Sequence, residues 1–445
     1  MYREDRKLFK TLILISILVF LLYGCGGGSN QTSPSRNSQT YIWNEATPES
    51  VGLSPLKVDS AINYAMTDGL YSQSAIIVKN EKIIGEGYKS LTELEKNNLL
   101  AAHSALTSSF LENNLSNKNS SSLVQSWSVG KSFTSVIFGI AEFNGLLSIN
   151  SKASDYLNEW LNDERREITI KNLLDMRSGL HQGCYGASQN DEIGNCNEIP
   201  GASTLGGGDI AKANNQLTGC INQTFNTQQY GTYNAQDQSS YYLYSNCDTM
   251  ILGEIFYRAT NINIKSYAET HLFSKLDISA DWWKDNAGNG QDNGNYLSYC
   301  CIDMTARDFI KFGQLLLNDG VWNEERIISS SFVQQIKDLT TYGLKFWYAS
   351  NTFVTNASPS VSKFIFANGF DGQYIFIDFE NNIIIARNSL YYPSLDISQT
   401  KKMVAGSLGA TNFTVTVPTI ITTNGETRLT QNFNPFTMLY NLYSP

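Results

Sequence analysis

Strand-like runs at both ends of the chain, with helical patterns between them, set the strongest limit on how it can fold. SAIIVKN (74–80) and KIIGEGY (82–88) are rich in β-branched residues and join across Asn80 and Glu81, the pattern of a hairpin. Far downstream, KFIFANG (363–369), QYIFIDF (373–379) and NIIIARN (382–388) are separated only by FDG and ENN, which is a meander signal. Such placement implies one antiparallel sheet built from N- and C-terminal segments and flanked by helices, with a mostly helical insertion over about 145–340. The expected class is α/β (α+β). At 445 residues and 42% hydrophobic, the chain can bury a large core as one domain or two closely packed ones.

The helical patterns are uneven. VGKSFTSVIFGIAEFN (129–144) has no charge between Lys131 and Glu142, so it is expected to be buried on nearly all sides, with Gly145 ending it. ITIKNLLDMRSGL (168–180) reads as a short helix capped by Thr169 and stopped at Gly179. Further helices are expected within 241–260 and 305–320, the second capped by Thr305 and stopped at Gly320. Residues 181–240 are rich in Gly, Asn and Gln and read as long loops. The segment 396–445 carries no pattern that places it and reads as an extension.

The start of the chain reads as an export signal. Arg3, Arg6, Lys7 and Lys10 precede the apolar run LILISILVFLL (12–22), shorter than the roughly 17–25 residues a membrane span needs. LYGC, ending at Cys25, resembles a bacterial lipobox, in which cleavage leaves a lipid-modified N-terminal cysteine. The expected organisation is a signal peptide at 1–24, a flexible tether at 25–40 and a folded domain at 41–395. GGGSNQTSPSRNSQT after Cys25 suits a tether, having almost nothing apolar to bury. Gly26, where retained lipoproteins carry Asp, favours the outer membrane by the same resemblance. The net charge of -9 argues against a nucleic-acid partner. Cys184, Cys196, Cys220, Cys247, Cys300 and Cys301 form an even set in an exported chain, suited to disulfides that staple loops, with the pairing open. His103, His181 and His271 lie far apart, so neither a metal nor another cofactor is expected.

SWSVGKSFTS (126–135) places Ser128 one turn ahead of Lys131. A serine needs a base to become a good nucleophile, and a lysine serves as that base when burial and a helix N-terminus lower its pKa. The apolar segment behind Lys131 supplies both, and the helix start offers the Ser128 N–H to an oxyanion. The spacing alone is weak evidence, since Ser54–Lys57, Ser360–Lys363 and Ser398–Lys401 repeat it without opening a long apolar helix.

Together with YSN at 244–246, the stretch SWSVGKSFTSVIFGIAEFNGLLSIN resembles the serine beta-lactamase-like hydrolases, a group that holds class C beta-lactamases, DD-peptidases, esterases and 6-aminohexanoate-dimer hydrolases. ITIKNLLDMRSGLH, MTARDFIKFGQLLLNDGVW and YGLKFWY add to the likeness. The resemblance implies a beta-lactamase/transpeptidase-like fold, Ser128 as nucleophile, Lys131 and Tyr244 as acid/base groups, and Asn246 bonding Lys131 and the substrate amide. Whether Tyr244 or Lys131 is the principal base stays open. Where class C enzymes have K-T-G, this chain reads Ala367, Asn368, Gly369, closer to the 6-aminohexanoate-dimer hydrolase branch. By the resemblance, Asn368 and Gly369 orient the substrate, and the N–H groups of Ser128 and Phe370 form the oxyanion hole. The missing lysine removes a cation suited to substrate carboxylates. His181 and Asp371 are secondary candidates for the pocket, and Tyr241 and Tyr242 read as core.

The function expected is an exported serine hydrolase acting on a small ester or amide through an acyl-enzyme. A penicillin-interacting beta-lactamase or DD-peptidase is the second reading, and a surface scaffold with a retired site is the third. Oligomeric state has no signal in the sequence. Cys25→Ser is expected to abolish lipid modification and release the protein from membranes, followed by fractionation and intact mass. Wild-type protein recovered wholly soluble with residue 25 unmodified would contradict the anchor.

Overall fold

The computed structural model describes residues 41–102, 107–180, 215–236, 239–285, 294–370, 372–391 and 433–445, with two short strands at 409–410 and 413–414. Cys25 and its flanks, His103, His181, Cys184, Cys196 and Asp371 lie outside the described residues.

Helix α1 (Pro55–Ala65) precedes a hairpin of β1 (Ser72–Lys79) and β2 (Lys82–Tyr88). Asn80 and Glu81 both take left-handed backbone, φ 50° and 62°, as the two-residue turn that matches strand twist requires. The principal elements that follow are α2 (Gly130–Phe143), α3 (Asn246–Thr260), α4 (Ala306–Leu317), β3 (Trp347–Ser350), β4 (Lys363–Gly369), β5 (Gln373–Asp378), β6 (Ile383–Ser389) and α5 (Pro435–Tyr443). β1 pairs with β6, Ile385 opposite Ile77, so the two ends of the chain meet at the middle of one sheet. That sheet has seven strands: Asn44–Glu45, then β2, β1, β6, β5, β4 and β3. The expected antiparallel pairing holds for all but Asn44–Glu45, which runs parallel to β2 and makes the sheet mixed.

Both faces of the sheet are covered, which is why its strands read as unbroken apolar runs. One face puts Ala75, Ile77, Phe364, Phe366, Phe376 and Ile385 into a cluster with Val58, Ala61 and Ala65 of α1 and Leu439 and Leu442 of α5. On the other face α4 lies so close that a Cβ on Gly313 would sit 3.1 Å from Ile375 Cγ2. Helix α5 comes from the segment the sequence left unplaced. Its Tyr443 hydroxyl donates to Asp378 Oδ2 at 2.8 Å, fixing it to the end of β5.

Two helix starts and stops differ from the pattern reading, each for a local reason. α3 begins at Asn246 because extended Ser245 caps it, its hydroxyl accepting the Asp248 N–H at 3.1 Å. Tyr244 therefore stands on the connection ahead of the helix. Thr169 caps its helix as expected, with Asn172 completing a capping box, but the helix ends at Leu174. Met176 then turns left-handed (φ 58°), several residues before Gly179.

Candidate active site

The segment carrying Ser128 is clamped on both sides. Leu123–Gln125 pairs with Ile302–Thr305, the Ser126 N–H donates to the Ile302 carbonyl at 2.8 Å, and the Ile302 N–H donates to Ser126 Oγ at 2.8 Å. Trp127 then takes φ 46° and enters a 3-10 turn, Trp127–Val129, continuous with α2. Ser128 thus sits on the turn rather than in α2. Every residue from Gly130 to Ala141 is buried, as the uncharged run implied.

Lys131 is 1% exposed. Its Nζ donates to Ser128 Oγ at 2.8 Å and to the Tyr299 carbonyl at 3.0 Å. It lies over the rings of Tyr244 and Tyr299, 5.0 and 5.3 Å from their centroids. Those contacts favour an ammonium. Burial outweighs them and pushes Lys131 well below the ordinary lysine range, with repulsion from Lys345 adding to the effect.

Tyr244 stands beside the pair, its ring centroid 5.0 Å from the Lys131 Nζ that bonds Ser128. Burial drives its phenol well above the usual tyrosine value, and interaction with the Ser128 side chain, which lowers its pKa, offsets only part of this. At neutral pH Tyr244 therefore holds its proton. Tyr342 and Trp347 pack on its ring at 5.9 and 5.4 Å. Asn246 opens α3 close by in sequence, 9% exposed, but does not bond Lys131. The Tyr299 carbonyl takes that place, and among the described residues Asn246 Oδ1 has no hydrogen-bond partner.

β4 brings the third motif to the same turn. β3 pairs with β4 only along Lys363 to Phe366, so residues 367–369 have no β3 partner on that edge. Asn368 stands opposite Tyr374 and Gly369 opposite Gln373 on the β5 side. A Cβ on Gly369 would lie 2.5 Å from the Ser126 carbonyl oxygen, so only glycine permits this approach. Phe370 meets Trp127 edge-on, ring centroids 5.5 Å apart. The segments bearing the Ser128 and Phe370 N–H groups are thus in contact.

Several residues at the site were missed by the sequence reading. Tyr242, read as core, is 37% exposed and packs on Tyr342 at 5.5 Å, with the Arg177 guanidinium 5.3 Å from its ring centroid. Tyr241 is buried as expected. Tyr299 receives the Lys131 amine through its backbone carbonyl, a contact with no side-chain signature, and also lays its ring against that amine. Lys345 lay inside the quoted YGLKFWY and carried the only usable signal, a charge in an apolar run. The cysteines were expected to staple loops, but Cys220–Cys247 ties helix Gln216–Ile221 to α3 one residue after Asn246. Cys300–Cys301 joins neighbours beneath α2, where a Cβ on Gly130 would lie 2.9 Å from the Cys300 carbonyl carbon.

The chain belongs to the Beta-lactamase family, whose sequence pattern matches residues 74–396. Members of this hydrolase superfamily act through a serine nucleophile. A 6-aminohexanoate-dimer hydrolase of Paenarthrobacter ureafaciens is 23% identical over 211 residues, 47% of this chain and 49% of that protein. The match thus spans about half the length of that relative. Among solved structures, a Bacillus anthracis protein provisionally assigned as a 6-aminohexanoate-dimer hydrolase superposes with a TM-score of 0.55 at 18% identity, over 79% of this chain and 82% of the other. A Bacteroides dorei protein provisionally assigned as a beta-lactamase gives 0.51 at 15% identity, over 78% and 94%. These likenesses establish the fold.

Gly369→Ala is expected to push β4 off the Ser126 carbonyl and lower kcat/KM for an activated ester by about 10²-fold, the scale of losing one oxyanion donor. The folded variant, checked by circular dichroism, would contradict this placement if it kept wild-type turnover.

Proposed function

We propose that the protein hydrolyses a small ester or amide through a covalent acyl-enzyme on Ser128. The observation that carries this reading is the 2.8 Å contact between Ser128 Oγ and the Nζ of a lysine 1% exposed. Burial holds Lys131 well below the ordinary lysine range, which makes its neutral amine more accessible to accept the Ser128 proton as Oγ attacks the carbonyl. The N–H groups of Ser128 and Phe370 receive the oxyanion. Tyr244, protonated at neutral pH, hands its proton to the departing alcohol or amine and is reprotonated from the Lys131 ammonium. Water then attacks the acyl ester with the same groups as base, releasing the acid and restoring the Ser128 hydroxyl. No metal or organic cofactor enters these steps. On this reading Lys131 is the base and Tyr244 the proton relay.

Asn246 Oδ1 is suited to accept from a substrate amide N–H, and the edge of β4 at Asn368 and Gly369 to a substrate lying along the strand. Ala367 in place of a lysine disfavours substrates recognised through a carboxylate, so penicillins should be poorer than simple esters. Export and a lipid anchor at Cys25 belong to the same proposal and would place the hydrolase in the bacterial cell envelope.

The test is kcat/KM for an activated ester in folded variants. Ser128→Ala should remove covalent turnover, and Lys131→Ala should cost about 10²–10⁴-fold or more. Lys131→Arg should not rescue it, because a guanidinium with a pKa above about 12 cannot accept the proton. Tyr244→Phe should cost about 10²–10⁴-fold, and the Ser128→Ala, Lys131→Ala double variant should be no worse than Ser128→Ala alone. A folded Lys131→Arg enzyme keeping more than about a tenth of wild-type rate would remove Lys131 from the role of base.

A further inference from the structure

Lys345 combines two unfavourable features. It is 1% exposed, and its backbone sits at φ 63°, directly after Leu344 at φ 45°. The left-handed region favours glycine, and burying a lysine amine away from water is costly. Retention of both at one position points to a use for the side chain.

Its contacts indicate that use. Lys345 Nζ donates to the Leu173 carbonyl at 2.6 Å and to Met176 Sδ at 3.2 Å, closing the end of the helix capped by Thr169. The same Met176 sulfur receives the Ser245 N–H at 3.2 Å, and the Met176 carbonyl receives the Leu243 N–H at 3.0 Å, one on each side of Tyr244. In the other direction, the Lys345 carbonyl accepts the hydroxyl of Ser132 at 2.7 Å, next to Lys131 in the first turn of α2. One residue thus links the turn that carries Ser128 and Lys131 to the segment that carries Tyr244.

We propose that Lys345 is a positioning residue for this site: it holds the Ser128–Lys131 turn and the Tyr244 segment in register and brings a second amine to act on Lys131. The inference rests on Lys131 being the base for Ser128. The surrounding charges divide the protons between the two lysines. Lys345 faces Asp248 and Asp175, whose carboxylates favour its ammonium against burial. Asp248 also accepts from the Ser178 hydroxyl at 2.7 Å. Asp175 accepts from Lys171 at 2.6 Å and from the Leu344 N–H at 2.8 Å, with Arg177 Nη1 on its carbonyl. Lys131 faces the rings of Tyr244 and Tyr299, the Ser128 hydroxyl and the Lys345 ammonium, and no carboxylate bonds it among the described residues. Burial lowers both amines, Lys345 to about 7, but carboxylates hold up only Lys345, so of the two it is the better placed to carry a proton. The cation absent from position 367 is thereby supplied from beside β3, inside the protein, where it acts on the base and not on the substrate.

The sign follows. kcat/KM rises with pH as Lys131 loses its proton, so removing the Lys345 charge lifts the Lys131 pKa and moves the acidic limb to higher pH. Lys345→Met keeps the side-chain length without the charge, and Lys345→Gly gives the left-handed backbone its preferred residue, so the two differ in their demands on folding. Each is read as a pH profile of kcat/KM for an activated ester, with folding checked by circular dichroism and covalent competence by a fluorophosphonate. The expected result is an acidic limb displaced upward by about one pH unit, the scale of losing one nearby charge, with the limb restored toward wild type in Lys345→Arg. A lower rate at every pH with the limb unmoved, in either folded variant, would overturn the proposal. Wild-type protein that neither turns over the ester nor takes the fluorophosphonate would instead count against the serine-hydrolase reading.

Discussion

A lysine amine buried at the first turn of an apolar helix is the constraint around which the site is arranged. Lys131 is shielded from solvent, and its two hydrogen-bond partners are an uncharged serine hydroxyl and a backbone carbonyl. Burial first, and repulsion from Lys345 second, push this amine well below the ordinary lysine range, toward the form that the proposed base needs. The surrounding fold serves that condition. α2 is buried along its length, Gly130 lets the Cys300 backbone press against it, and the Tyr299 carbonyl next to that contact receives the amine. Tyr244 is pushed in the opposite direction by the same burial, which suits the proposed division into a base and a proton donor.

The second dependence is on the sheet. Because β1 and β6 join the two ends of the chain, β4 is carried to a fixed place beside the turn that precedes Ser128. Gly369 can meet the Ser126 carbonyl only with no side chain between them. The short pairing of β3 leaves residues 367–369 without a β3 partner, the edge along which the proposed substrate would lie. Loss of the lysine at position 367 changes what that edge can attract without disturbing the approach that Gly369 makes.

Much of this was legible in the sequence, because it depends on periodicity and on side-chain chemistry. The runs at 363–369, 373–379 and 382–388 became β4, β5 and β6 within a residue, and the uncharged run after Lys131 became the buried α2. The caps at Thr169 and Thr305 were readable as hydroxyls ahead of apolar runs. Other features leave no such trace. Tyr299 bonds the Lys131 amine through its carbonyl, which every residue possesses. Tyr242 looks like any aromatic beside a helix until Ser245 caps α3 and leaves it outside. The role of Lys345 depends on Leu344 and Lys345 both turning left-handed, a conformation their residue types disfavour, and no propensity argument would place them there. Helix α5 has an ordinary apolar pattern, but nothing local says that its partner is α1, hundreds of residues earlier.

The central claim is that Ser128 is made nucleophilic by Lys131, and covalent trapping tests it most directly. The protein would be exposed to a fluorophosphonate, its intact mass measured and the modified peptide mapped, with Lys131→Ala treated in parallel. The account predicts a single adduct at Ser128 in the wild type and a strongly slowed reaction in the folded Lys131→Ala variant. Labelling at another serine, or an adduct at Ser128 that forms equally fast without the Lys131 amine, would contradict it.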